Sequence, residues 1–362
     1  MDPIPDPRAN PDLFGHEGAE RILLDAWTSD RLAHGWLISG PRGIGKATLA
    51  FRFARFVLAG GGRAGQGGLF ADAPPSLHLP SGDPVFRRVE SGGHADFLLV
   101  ERGYAEGGKS KRRSEIVVDD VREVGHFLSH TPAEGGWRVV VVDSADEMNR
   151  NAANALLKML EEPPRRALLL LVAHNPAALL PTIRSRCRAL PLRPLADRQV
   201  RDLLGRYRPD LAPEAVATLI GLAEGSIGRA LSLAEQDGGS IYRDMLGLIQ
   251  GMPTTDISAL HAFCDRMLKG DGTAFRTAGD LLNWWLARVI RFGARRESLP
   301  ELAPGETALA ARLTGAGGLD RWVGAWEENL RLFAGVEAVN LDRKQALLGA
   351  FLTIEKLVLA RG

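Results

Sequence analysis

A glycine-rich segment, GPRGIGKAT at residues 40–48, constrains the fold of this chain more than any other feature. It follows an apolar run of strand length and opens an apolar spacing typical of a helix, which starts after Lys46. In that context the glycines let backbone N–H groups surround phosphate oxygens, while the helix N-terminus adds positive potential. The segment therefore predicts a phosphate-binding P-loop between a strand and a helix. Its cofactor-binding candidates are Gly40, Gly43, Gly45 and Lys46.

The P-loop departs from the usual pattern directly after its lysine. A Ser or Thr is expected there, because its hydroxyl binds the Mg²⁺ of the nucleotide. This chain has Ala47 instead and carries a hydroxyl one residue later, at Thr48. One residue rotates a helical side chain by about 100°, so Thr48, although a cofactor-binding candidate, is not expected to replace the missing ligand. Weak or non-hydrolysed ATP binding through the loop and Lys46 stays open, whereas metal-assisted hydrolysis is expected to be impaired.

A second strand supplies the other half of a nucleotide site. The apolar run at residues 138–142 ends in Asp143, the position of a carboxylate on the Mg²⁺ side of such sites. ATPases of this type place a Glu next to activate the attacking water, whereas this chain has Ser144. Asp146 and Glu147 are interpreted as charges at a helix start. Ala47 and Ser144 are two independent departures from a hydrolytic site, and together they favour a pseudo-ATPase.

Five short apolar runs predict a parallel sheet in the first part of the chain. They cover residues 36–39, 97–100, 139–142, 168–172 and 189–192, and helical patterns separate them. Runs this apolar are typical of strands covered by helices on both faces. From residue 194 onward only helical patterns follow. We therefore predict an α/β domain at 1–193, a small helical unit at 194–238 and a larger helical domain at 239–362.

Composition excludes several classes of protein. Lys plus Arg number 45 and Asp plus Glu 44, so the chain is not a general polycation for nucleic acid. The cysteines are Cys187 and Cys264, which do not form a CxxC pair, so no metal site is predicted. No apolar run is long enough to span a bilayer, and the acidic, proline-rich start is not expected to be a signal peptide. The expected location is the cytoplasm.

Two segments interrupt the strand and helix pattern. Residues 60–93, rich in Gly, Pro and Ser, predict a long surface excursion. Residues 109–113 include four cations, Lys109, Lys111, Arg112 and Arg113. A solvated basic loop and a DNA-contacting loop both stay open for this second segment.

Three longer segments resemble the clamp-loader AAA+ family of bacterial DNA polymerase III. They are HGWLISGPRGIGKATLA at 34–50, VVVVDSADEMN with NAANALLKMLEEPP at 139–164, and LLPTIRSRCRALPL at 179–192. GSIGRAL at 225–231 and NLDRKQALL at 340–348 support the resemblance, which covers most of the chain from about residue 15. It implies an AAA+ P-loop module, an α-helical lid and an α-helical C-terminal collar used for oligomerisation.

The resemblance also implies a role and partners. Such a subunit sits in a hetero-oligomer with delta and ATP-hydrolysing gamma or tau subunits. The complex is part of a DNA polymerase holoenzyme and loads the sliding clamp onto primed DNA. In this family the SRC motif, here residues 185–187, supplies an arginine finger in trans, so Arg186 is the catalytic candidate.

Other family positions depart from an active motor. The ATPase subunits carry a sensor arginine three residues after the lid glycine, and Gly228 stands at the matching position, with Arg229 next to it. The sensor position at a strand end falls near His174 and Asn175. Many relatives have a four-cysteine zinc module where residues 60–93 contain no cysteine, so no zinc is expected.

Two further functions stay open from the sequence. One is an ATP-hydrolysing gamma- or tau-type motor subunit, which Ala47, Ser144 and Gly228 disfavour. The other is a stand-alone P-loop ATPase acting on DNA, such as a helicase loader. That protein would need its own acidic base, and it would not explain the SRC motif.

Overall fold

The computed structural model describes residues 6–61, 76–104, 112–134, 136–295, 300–315, 318–339 and 341–359. The chain divides into two compact units. The first comprises Met1–Tyr207 with Gly225–Gly228, and the second comprises Arg208–Glu224 with Arg229–Gly362. The finer division into three domains stays a prediction.

A five-stranded parallel sheet forms the centre of the first unit. Its strands are β1 (Gly35–Ser39), β2 (Phe97–Val100), β3 (Arg138–Val142), β4 (Ala167–Ala173) and β5 (Arg188–Pro191). Their spatial order is β2-β3-β4-β1-β5, with every neighbouring pair parallel. Each lies within one residue of a predicted apolar run at either end, so the predicted sheet is confirmed.

Helices cover both faces of this sheet. They are α1 (Glu17–Thr28), α2 (Lys46–Leu58), α3 (Pro84–Glu90), α4 (Val118–Ser129), α5 (Arg150–Glu161), α6 (Pro181–Arg186) and α7 (Asp197–Tyr207). Alternate strand residues point to opposite faces. Ile38 packs into the core that contains α1, α2 and α3, whereas Leu37 packs into the core that contains α4, α5 and α6. The α/β fold class is therefore confirmed.

In the second unit, the regular structure of the described residues is entirely helical. Its helices are α8 (Pro213–Ala223), α9 (Ile227–Glu235), α10 (Gly238–Gln250), α11 (Ile257–Met267), α12 (Thr273–Arg295), α13 (Glu306–Thr314), α14 (Leu319–Val339) and α15 (Arg343–Leu359), of which α9 begins in the Gly225–Gly228 segment of the first unit. The predicted loss of strands after residue 194 is confirmed over these ranges. No helix in the described part of the chain is long and apolar enough to cross a membrane.

The predicted surface excursion at residues 60–93 is wrong in its last part. Residues 62–75 lie outside the described residues, but α3 follows, with Asp83 accepting a 2.7 Å hydrogen bond from the Val85 backbone N–H as its N-cap. Val85, Phe86 and Val89 are buried against the sheet domain. A single short amphipathic helix carries too few apolar residues to be distinguished from a loop by periodicity.

The described part of the basic loop is already neutralised. Arg112 pairs with Glu101 at 2.8 Å, and Arg113 pairs with Asp120 at 2.6 Å. Lys109 and Lys111 lie outside the described residues. These ion pairs favour the solvated loop over DNA contact for the two arginines, because each guanidinium is bound to a carboxylate of its own chain.

Candidate functional site

The P-loop leads from the carboxyl end of β1 into α2, as predicted. Gly43 and Gly45 have φ angles of 76° and 103°, in the left-handed region that favours glycine. Gly45 is the N-cap of α2, and Lys46 is its first residue. The Lys46 side chain is buried within the loop that it follows. The glycine spacing therefore produces the turn that the sequence predicted.

Four consecutive carbonyl oxygens of the loop accept hydrogen bonds, one from the loop's own Lys46 and three from His16, Ser226 and Gly228. Lys46 Nζ donates to Pro41 at 2.6 Å, and Ser226 Oγ donates to Arg42 at 2.8 Å. The Gly228 backbone N–H donates to Gly43 at 2.9 Å, and His16 Nε2 donates to Ile44 at 2.6 Å. These hydrogen bonds hold four successive peptides of the loop in place.

Gly228 lies directly against this loop. A Cβ added to Gly228 would stand 2.9 Å from Gly43 Cα, closer than real Cβ atoms come to a neighbour. No side chain fits at this position unless the P-loop backbone moves. The guanidinium of Arg229 lies 5.7 Å from the centre of the Trp284 ring, and burial lowers its pKa.

The predicted carboxylate stands at the end of β3. The backbone N–H of Asp143 donates to the Val100 carbonyl at 2.9 Å, which holds Asp143 at the carboxyl ends of β2 and β3. Burial raises the pKa of Asp143. Burial also lowers the pKa of Lys46 to about 8, although Asp143 and Asp146 oppose the shift. The structure thus brings Lys46 and Asp143 into electrostatic contact, as a nucleotide site requires.

Ser144 occupies the position of the missing catalytic Glu. It adopts a left-handed φ of 61°, and its Oγ lies 3.2 Å from His174 Nε2. Burial, with a contribution from Lys46, lowers the pKa of His174 to about 4, so the imidazole is neutral at neutral pH. The base position therefore carries the hydroxyl of Ser144, next to the neutral imidazole of His174, in place of a carboxylate.

Asp146 differs from its predicted role as a helix-start charge. Its two carboxylate oxygens accept hydrogen bonds of 3.0 Å from the His174 backbone N–H and 2.8 Å from the Asn175 backbone N–H. It therefore fixes the segment that follows β4. Glu147 pairs with Arg102 at 2.8 Å. Thr48 is buried on α2, and the Ala47 methyl packs against the core.

Arg186, the catalytic candidate, lies far from these residues. It ends α6, and its carbonyl oxygen is 3.6 Å from the position that a Cβ on Gly35 would occupy. Gly35 begins β1, whereas the P-loop follows the other end of that strand. A strand of five residues spans about 15 Å. The structure therefore does not bring Arg186 together with the P-loop of its own chain.

Two residues of this site were missed in the sequence. His16 and Ser226 each bind a P-loop carbonyl, but neither belongs to a local pattern that marks a long-range hydrogen bond. Among the described residues, no group of three or more His, Cys, Asp and Glu side chains is arranged to hold a metal ion. The prediction of no metal stays a prediction.

Comparison with known proteins identifies the family. A family model described as "DNA polymerase III, delta subunit" matches residues 15–196. The chain belongs to this family. It is 39% identical over 196 residues to the delta-prime subunit of DNA polymerase III from Pseudomonas aeruginosa, a match that covers 54% of this chain and 53% of that protein. The predicted resemblance to bacterial clamp-loader subunits is confirmed.

Other relatives extend the comparison. Identity is 31% over 219 residues to the Bacillus subtilis delta-prime subunit, covering 60% of this chain and 58% of that protein. It is 30% over 235 residues to the Escherichia coli tau subunit, covering 64% and 33%. The chain thus spans little more than half the length of its delta-prime relatives. A solved gamma subunit-related protein from Thermotoga maritima has 18% identity and a TM-score of 0.41, with 94% of this chain and 99% of that protein covered.

Proposed function

We propose that this chain is a delta-prime-type subunit of a DNA polymerase III clamp loader that does not itself hydrolyse ATP. In this role it assembles with delta and with gamma or tau subunits in the cytoplasm. The hetero-oligomer loads the sliding clamp onto primed DNA. The delta-prime relatives, named above with their identities, support this assignment.

The observation that carries the proposal is the contact between Gly228 and the P-loop. The position matching the sensor arginine of the ATPase subunits holds a residue whose Cβ would meet Gly43 Cα at 2.9 Å. Ala47 removes the Mg²⁺-binding hydroxyl, and Ser144 removes the base. Three groups that hydrolysis needs are therefore absent at positions that the P-loop geometry otherwise preserves.

ATP is the proposed cofactor, bound weakly or without turnover. Support comes from the turn between β1 and α2, with Gly43 and Gly45 in the left-handed region, and from Lys46, which interacts electrostatically with Asp143. Neither a metal-binding hydroxyl at position 47 nor a carboxylate at position 144 accompanies them. Binding through these groups is compatible with an architectural role.

Arg186 is the proposed arginine finger, acting on the ATP of a neighbouring subunit. Its side chain is exposed, and it lies at the end of β1 opposite to its own P-loop. An exposed guanidinium that does not reach its own nucleotide site is available to a site on another chain. Its planar fork suits the charge that develops on a transferring phosphoryl group.

The test is ATP hydrolysis by the reconstituted loader. Arg186→Ala should leave the chain folded and assembled, but should slow turnover at the site that it serves by about 10³–10⁵-fold, the range for arginine fingers. Arg186→Lys should not restore turnover, because a point charge lacks the planar fork. Arg184→Ala, an exposed arginine on the same helix, is the matched control. Wild-type hydrolysis and clamp loading by the Arg186→Ala complex would refute the finger.

A motor subunit is the second candidate. The 30% identity to the Escherichia coli tau subunit favours it. Ala47, Ser144 and Gly228 oppose it, since each removes a group that turnover needs. Hydrolysis by the isolated chain separates the two functions.

A further inference from the structure

The guanidinium of Arg186 is bound on one side by its own chain. Its Nη2 lies 2.8 Å from Glu161 Oε1, and its Nη1 donates a 3.1 Å hydrogen bond to the carbonyl oxygen of Thr182. Glu161 is the last residue of α5, and Arg186 is the last residue of α6. The two side chains are 43% and 37% exposed, so the pair lies at the surface.

Helix electrostatics do not favour Glu161 where it stands. The C-terminal end of a helix carries partial negative charge, which repels a carboxylate and attracts a guanidinium. Glu161 therefore gains from a nearby cation, and Arg186 provides it across the gap between the two helix ends. The ion pair joins the LLKMLEEPP and SRC segments. Glu161 and Arg186 are 25 positions apart in the sequence.

The contacts leave part of the guanidinium unused. A guanidinium has five N–H donors in a fixed plane. Among the described residues, Glu161 and Thr182 engage one donor each, so three remain for an acceptor on another chain. A long arginine side chain has many rotamers, and these two contacts restrict them while the side chain stays 37% exposed.

We propose that Glu161 is a positioning residue for Arg186. It holds the guanidinium in the orientation from which its free donors meet the phosphate of a neighbouring subunit's ATP. The inference rests on the proposed function of Arg186 as a finger. Glu161 does not itself touch the nucleotide; it acts through the ion pair.

The experiment measures kcat and KM for ATP in the reconstituted loader with Glu161→Ala. We expect kcat at the affected site to fall by about two- to fivefold, the range for the loss of an exposed ion pair. KM should not change, because the neighbour's own P-loop holds the ATP. Glu161→Gln, which keeps the size and one acceptor oxygen, should give a smaller fall. Glu162→Ala, the next exposed carboxylate along the chain, is the matched control and should behave as wild type.

A double variant distinguishes positioning from a general structural effect. If Glu161 acts through Arg186, Glu161→Ala should have no further effect on kcat when Arg186 is already alanine. A further fall in that background would overturn the proposal, as would unchanged kcat in the single variant. A rise in kcat would also overturn it, since the ion pair would then hold the finger back. Full activity of Arg186→Ala alone would instead refute the finger itself.

Discussion

The backbone N–H of Gly228 donates a 2.9 Å hydrogen bond to the carbonyl oxygen of Gly43, which places the Gly225–Gly228 segment directly on the P-loop. Ser226 makes a second such bond, to the Arg42 carbonyl at 2.8 Å. Together they fix two successive peptides of the loop. The missing arginine side chain and the close backbone approach are thus linked, because the approach is possible only where no side chain intervenes.

A side chain at position 228 should disturb the first unit. We expect Gly228→Ala to lower the free energy of unfolding by about 1–3 kcal/mol, as overpacking does, because its Cβ would meet Gly43 Cα. The matched control is Gly247→Ala on α10, where a Cβ meets nothing within 4 Å. That change should be neutral or slightly stabilising. Thermal unfolding of both variants checks the prediction, and equal melting temperatures would contradict it.

The isolated chain should not turn over ATP. Loss of a general base alone slows such reactions by about 10²–10⁴-fold. The hydroxyl that would bind Mg²⁺ is also missing, because residue 47 is an alanine. The double variant Ala47→Ser with Ser144→Glu should also stay inactive, because Gly228 still supplies no arginine. Steady-state phosphate release measures both proteins, with an ATP-hydrolysing gamma or tau subunit as the positive control. Turnover by the wild-type chain near that of the control would overturn the pseudo-ATPase.

Removal of the P-loop lysine should affect nucleotide binding more than loading. We expect Lys46→Ala to weaken ATP binding, measured by calorimetry, because a buried cation is lost from the end of the loop. Clamp loading by the assembled complex should fall only modestly. Lys158→Ala, an exposed lysine on α5, controls for the loss of charge. If Lys46→Ala abolished loading while the chain still folded and assembled, nucleotide on this subunit would have a function in the reaction.

His174 should make stability depend on pH. The pKa of His174 is about 4 in the folded chain, below the ordinary histidine value of 6.5 that applies to the unfolded chain. Between these values the unfolded chain binds more protons, so stability falls as the pH falls through this window and is unaffected by His174 above it. His174→Asn should flatten the pH dependence of the melting temperature there. His94, whose pKa is also lowered by burial, stays in both proteins and cancels in the comparison. Identical pH profiles would contradict the prediction.

Local sequence determined the predictable parts of the structure. The strands are predictable because a parallel sheet covered on both faces needs wholly apolar runs, and the P-loop is predictable because its turn needs glycines with positive φ. The roles of Asp146 and Glu161 are not predictable in this way. Asp146 binds backbone N–H groups 28 and 29 positions away, and Glu161 binds a side chain 25 positions away. Contacts of this range leave no period in the sequence.

The placement of Arg186 and the P-loop at opposite ends of β1 gives the molecule a direction. A head-to-tail contact joins one end of a chain to the opposite end of its neighbour. Such an assembly continues unless it closes into a ring or reaches a subunit that lacks one of the two surfaces. Under the proposed function, this chain completes the site of one neighbour and offers no working site to the next. Under that function, one copy would end a row of active subunits, and a copy inserted within the row would divide it.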